Sequence, residues 1–126
     1  MRVIDTSAWI EYLRDSAPGR RFASEIPRRN ECIVPTIVQM ELAKWLAREV
    51  DEILAEPVLA FTMECLVVPL DTAVALLAAE IGRERRLATA DAIIYATALA
   101  HDAELVTCDA HFKDLPGVIY FAKAAQ

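Results

Sequence analysis

Val3-Ile4-Asp5-Thr6-Ser7-Ala8 reads as a short apolar strand running directly into a helix. Thr6 or Ser7 can cap that helix, which carries Trp9, Ile10 and Leu13. Asp5 stands at the junction, at the carboxyl end of the strand. A second strand pattern repeats the arrangement a hundred residues later, where Leu105-Val106-Thr107 is followed, one residue on, by Asp109.

Between these two stretches apolar runs alternate with helical periodicity. A short helix over about Arg20–Ile26 is stopped by Pro27, and Cys32-Ile33-Val34 is a second strand ended by Pro35. Helices follow over about Thr36–Glu49 and Asp51–Glu64, the latter kinked or divided at Pro57. Leu66-Val67-Val68 is a third strand. Asp71 or Thr72 caps a helix through Ala75, Leu76, Ala79 and Ile81, and Thr89 starts another that reaches about His101. Val118-Ile119-Tyr120 follows Leu105-Val106-Thr107 as a fifth strand. Strands alternating with helices imply a three-layer α/β domain around a parallel sheet. No internal repeat or low-complexity segment interrupts it, so one domain over residues 1–126 is expected.

Composition bounds the function. At 126 residues, 56% hydrophobic and 25% charged, the chain can build a core and is not disordered. Neither a signal peptide nor a membrane span is read in it, so a cytoplasmic protein without membrane partners is expected. Cys32, Cys65 and Cys108 are odd in number and unpaired by spacing, which suits reduced, buried thiols. The net charge of −6 argues against a nucleic-acid partner until four acids are set aside. Fifteen acidic residues then face thirteen basic ones, a balance of −2, and ten of the thirteen are arginine. Arg20-Arg21, Arg28-Arg29 and Arg85-Arg86 can form local phosphate-binding patches, or simply solvated helix ends.

The four acids are Asp5, Glu41, Asp91 and Asp109. In open parallel sheets ligands collect at the carboxyl ends of strands, and Asp5 and Asp109 both project from that edge. Helix capping is the alternative for each. Glu41 shares a stripe with Ile37, Val38, Leu42 and Trp45, whereas a solvated glutamate would fall with Lys44 and Arg48. Its alternative is a salt bridge to an arginine. Asp91 shares a stripe with Ala88, Ile94, Tyr95 and Ala98, and it also sits in a first helical turn, where acids favour the macrodipole. Carboxylates brought together repel and raise one another's pKa values, and a hard cation with oxygen ligands removes that cost. Magnesium, bound by a few carboxylates and a substrate phosphate, points to hydrolysis of a phosphodiester. The hydroxyls of Thr6 and Thr107 could orient a ligand or a metal-bound water, or merely cap and pack.

These residues resemble the PIN-domain ribonucleases, and within them the VapC toxins of toxin–antitoxin pairs. The matching pieces are Val3 to Ala8, Glu41 on its helix, Thr89-Ala90-Asp91-Ala92-Ile93-Ile94-Tyr95-Ala96-Thr97-Ala98, and Leu105-Val106-Thr107-Cys108-Asp109-Ala110-His111-Phe112, with Pro116-Gly117-Val118 near the end. The resemblance implies an α/β/α sandwich in which Asp5, Glu41, Asp91 and Asp109 bind magnesium or manganese. It also implies cleavage of RNA, often tRNA or ribosomal RNA, with arrest of translation. A homodimer is implied too, silenced by a VapB-type antitoxin whose C-terminal segment covers the active site. Cys108 departs from a position that is often basic in relatives.

Two other classes stand beside this one. A receiver-type phosphoacceptor domain also clusters acids at strand ends, but it needs a lysine that Lys113 supplies only in the wrong context. A catalytically inert PIN-fold interaction module is the second. His101 and His111 lack a partner at zinc spacing and are expected to be solvated or packed. Trp9 and Trp45 suit a core or a dimer interface better than RNA stacking.

Overall fold

A computed structural model of the chain describes residues 1–123. Its strands β1 (Arg2–Ile4), β2 (Cys32–Pro35), β3 (Leu66–Val68), β4 (Glu104–Thr107) and β5 (Val118–Tyr120) form one sheet in the order β3-β2-β1-β4-β5. Every neighbouring pair is parallel. Parallel neighbours need crossovers; pairs of helices supply three of them here, while only the 3-10 turn Ala110–Phe112 lies between β4 and β5. Helices α1 (Thr6–Leu13) and α2 (Ala17–Phe22) connect β1 to β2, and α3 (Thr36–Glu49) and α4 (Glu52–Glu64) connect β2 to β3. Helices α5 (Thr72–Arg85) and α6 (Thr89–Ala100) lead from β3 to β4. The α/β/α sandwich expected from the alternation is present.

The central strands are continuous apolar runs because both faces of the sheet are covered. Val3, Ile4, Ile33, Val34, Leu105 and Val106 are each no more than 1% exposed. At the edge, β3 leaves Leu66 and Val67 partly open. From β1 the chain winds outward to β2 and β3, then α5 and α6 return it to the opposite side of β1. The order therefore reverses between β1 and β4, and at such a switch point a crevice opens at the carboxyl ends of the strands.

One local expectation differs from the structure, and one of two alternatives at Pro57 is excluded. The second helix starts at Ala17, not Arg20, because Ser16 Oγ accepts the Gly19 N–H at 3.1 Å and Pro18 occupies the first turn. Gly19 packs on α1 so closely that a Cβ would lie 2.3 Å from the Glu11 carbonyl oxygen. Residues Ala23–Glu25 then continue as a 3-10 turn. Pro57 does not divide α4, which runs through it from Glu52 to Glu64. The carbonyl that Pro57 leaves without an intrahelical donor belongs to Ile53, on an exposed turn where water can serve it.

Candidate functional site

Asp5 leaves β1 at the switch point. Its N–H donates to the Val106 carbonyl at 2.9 Å and extends the ladder between β1 and β4. The register pairs Ile4 with Val106, so Asp5 arrives beside Thr107. Thr107 Oγ1 and Ser7 Oγ both donate to Asp5 Oδ2, at 2.9 and 2.6 Å. The Asp109 N–H donates in turn to Thr107 Oγ1 at 2.9 Å, and the Cys108 N–H to Ser7 Oγ at 3.0 Å. Both hydroxyl protons are therefore committed to Asp5, and the 3.3 Å approach of Ser7 to Thr107 is a contact without a shared proton. Asp5 occupies the N-cap position of α1, yet its carboxylate accepts no helix N–H. Capping does not account for that side chain.

The other acids come to the same place from three further segments. Glu41, half-buried on α3, accepts a hydrogen bond from Thr6 Oγ1 at 2.7 Å. Asp91, also half-buried, lies in the first turn of α6. Asp109 caps the 3-10 turn Ala110–Phe112, its Oδ1 accepting the His111 N–H at 2.9 Å. The His111 ring folds back over this turn, with Nδ1 at 2.8 Å from Asp109 Oδ1 and 3.9 Å from Asp91 Oδ2. Asp109 thus serves as a cap and as a member of the cluster together.

Electrostatics tie the four into one group. Burial pushes the Asp5 carboxyl up, and the charges of Asp109 and Glu41 push it further, against the Ser7 and Thr107 hydroxyls. Burial also raises Asp91, to about 6, with Asp109, Asp5 and Glu41 adding to the rise and His111 opposing it. Among the described residues no arginine or lysine pairs with any of the four. Arg2 holds Glu25 and Glu104, Arg20 holds Asp15, Arg29 holds Glu64 and Arg48 holds Glu49. The arginine alternative for Glu41 is thereby removed. A set of oxygen donors in a crevice, short of positive charge, suits a hard divalent cation. Asp5 fits this especially well, since its hydroxyl donors both use Oδ2 and leave Oδ1 without a hydrogen bond. Asp91, Asp109 and His111 form the tightest group, each offering one ligand atom within 4.8 Å of the others.

Thr6 and Thr107 act on the acids rather than standing among them, one holding Glu41 and the other Asp5. Sequence reasoning missed two neighbours, Ser7 and His111. Each lies two residues after an acid, the spacing at which short side chains and backbone N–H groups bond locally. Ser7→Ala would leave the buried Cys108 N–H without its acceptor and Asp5 without one of its two donors. We expect a loss of about 1–3 kcal/mol in denaturant unfolding, together with weaker divalent-metal affinity in calorimetric titration.

The sequence profile of the PIN domain matches residues 2–118. The chain belongs to the PIN domain family. Solved structures similar to this PIN domain include a toxin–antitoxin complex from Klebsiella pneumoniae. That chain is 21% identical, with 94% of this chain and 96% of that one covered at a TM-score of 0.81. A second is VapC20 of Mycobacterium tuberculosis, described as a sarcin-ricin loop cleaving toxin, at 18% identity, 94% and 97% coverage and a TM-score of 0.74. A third is VapBC2 from Rickettsia felis bound to a promoter DNA fragment, at 16% identity, 98% coverage of both chains and a TM-score of 0.72. At these identities the likeness concerns the fold. Comparison with curated proteins finds no significant match.

Proposed function

We propose that this PIN domain is a divalent-metal-dependent endoribonuclease that acts as the toxin of a toxin–antitoxin pair. The observation that carries the reading is the meeting of Asp5, Glu41, Asp91 and Asp109 at the sheet's switch point, with no lysine or arginine paired to them among the described residues. Magnesium, or manganese in its place, would be held by these carboxylates and would supply Lewis-acid activation of water and charge neutralisation at phosphorus. Ser7 and Thr107 fix the Asp5 carboxylate, and Thr6 fixes Glu41, so the oxygens are placed before substrate arrives. Hydrolysis of this type leaves a 5′-phosphate and a 3′-hydroxyl.

RNA would be held by basic groups at the same edge of the sheet. Burial pushes the Cys108 thiol up to about 12, with Glu11 and Asp5 adding and Lys123 and Arg21 opposing, so both of these cations act on the residue between Thr107 and Asp109. They are the candidates for phosphate contacts. The substrate would be tRNA or ribosomal RNA and the outcome arrest of translation; the similarity to VapC20, described as a sarcin-ricin loop cleaving toxin, supports an RNA substrate. The toxin–antitoxin neighbours also support a VapB-type antitoxin partner and a homodimer, and the antitoxin would cover the crevice. Among the described residues no helix is long and apolar enough to cross a membrane, in keeping with action in the cytoplasm.

The receiver-type alternative lacks its lysine, since Lys113 forms no ion pair with the acids and the chain belongs to a different family. The inert module is separated by experiment. Purified protein incubated with total RNA should cleave at mappable sites with magnesium, stop with a chelator and resume when the ion is restored. Absence of cleavage, with no change of thermal stability on titration with magnesium or manganese, would leave only an interaction module.

A further inference from the structure

We propose that His111 is a nitrogen ligand to the ion held by the acidic cluster, so that the centre selects a first-row transition ion, manganese(II), over magnesium. The inference rests on the metal-dependent reading above and narrows it. Its basis is the position of one ring atom. His111 Nδ1 lies 2.8 Å from Asp109 Oδ1 and 3.9 Å from Asp91 Oδ2. At a metal–ligand bond of about 2.1 Å, adjacent ligands of one octahedral ion stand roughly 3 Å apart and opposite ones roughly 4.2 Å. The two separations fall close to that range, so the three side chains can share one ion with little rearrangement.

The placement is built into the fold. His111 itself is exposed, its side chain 77% open, and among the described residues its ring's ion-pair partners are the two carboxylates. Its neighbour Phe112 is fully buried and packs on Tyr95 of α6, with ring centroids 6.4 Å apart. Tyr95 also donates to the Pro116 carbonyl at 2.7 Å, which binds α6 to the segment beyond the turn. Asp91 lies one helical turn before Tyr95, and His111 lies one residue before Phe112. The same aromatic pair therefore fixes the spacing between Asp91 and His111. Imidazole nitrogen is a poor donor to magnesium, which takes oxygen, whereas first-row transition ions accept it.

A different role would use the same geometry. His111 could serve only as an internal counter-charge to Asp109, and the two roles predict opposite effects of removing it. The test uses full-length protein, manganese(II) and magnesium(II), and the substitution His111→Gln. Manganese affinity, read from the electron paramagnetic resonance of the free ion, should fall 10- to 100-fold. Magnesium affinity, read by calorimetry, should change less than threefold. Pulsed resonance of bound manganese should show coupling to a directly bonded imidazole nitrogen in wild type and in His101→Gln, and none in His111→Gln. His101, the other histidine, is a suitable control because its Nδ1 lies at the Thr97 carbonyl, 2.9 Å away. A wild-type centre without nitrogen coupling, an equal loss of both ions, or a gain in affinity for both would overturn the assignment. If Asp5→Asn abolishes binding of both ions while nitrogen coupling is absent throughout, this inference fails and the acidic metal centre stands. If wild type binds neither ion, both fail together.

Discussion

Asp5→Asn should lower RNA cleavage by about a thousandfold, the order lost when one preorganised electrostatic group is removed from a site, and should make the metal-free protein more stable. The two effects have one origin. Asp5 is 3% exposed, and burial together with the Asp109 and Glu41 charges works against its ionised form. Asparagine has nearly the same shape. Its carbonyl oxygen can take the place of Oδ2 and keep both hydroxyl donors, Ser7 and Thr107. Its amide can donate toward the remaining carboxylates. The substitution therefore removes repulsion while preserving the hydrogen bonds. A gain on the order of 1 kcal/mol would raise Tm by about 4 °C. Cleavage assays and thermal unfolding without metal, run on the same preparation, check both halves. Unaltered cleavage would remove Asp5 from the catalytic machinery, and a lowered Tm would make it a structural polar group instead.

The second large effect is on pH. Asp91 has a carboxyl pKa of about 6 in the folded chain, against 3.8 ordinarily. Between those values the folded protein binds more protons than the unfolded one. The stability contributed by Asp91 is thus fully present below pH 3.8 and is lost as pH rises through 6. Metal binding follows the opposite course, because the ion needs the carboxylate and competes with the proton. Below pH 6 the affinity should fall up to tenfold for each unit, and above it the dependence on this group should flatten. Thermal unfolding from pH 4 to 8, with and without magnesium, should show the metal-induced rise in Tm growing through this window. A rise independent of pH would mean that Asp91 does not meet the ion.

Much of this was legible in the chain because strand ends and helix stripes are local features. Asp5 and Asp109 could be placed on one edge of a parallel sheet from the apolar runs before them. Glu41 could be turned inward because its stripe also holds Val38 and Leu42. The strand order was not legible. Nothing in Val3-Ile4 or Leu105-Val106 states that β1 and β4 are neighbours, yet that pairing lets Thr107 reach Asp5. Ser7 and His111 escaped notice for a different reason. Each had an ordinary local explanation, and only the assembled crevice shows what lies on the far side of its side chain. The start of α2 was missed because Ser16 and Pro18 outweighed the arginine-rich stretch that follows them.

The bond from Thr107 to Asp5 joins residues 102 positions apart. Closing so long a loop is slow relative to forming the helices between, and it requires nearly all of the chain to exist. A nascent polypeptide on the ribosome has β1, Glu41 and then Asp91, but until β4 emerges it has neither Asp109 nor the strand beside Asp5. The nuclease activity proposed for this chain would therefore be the last property acquired during its synthesis.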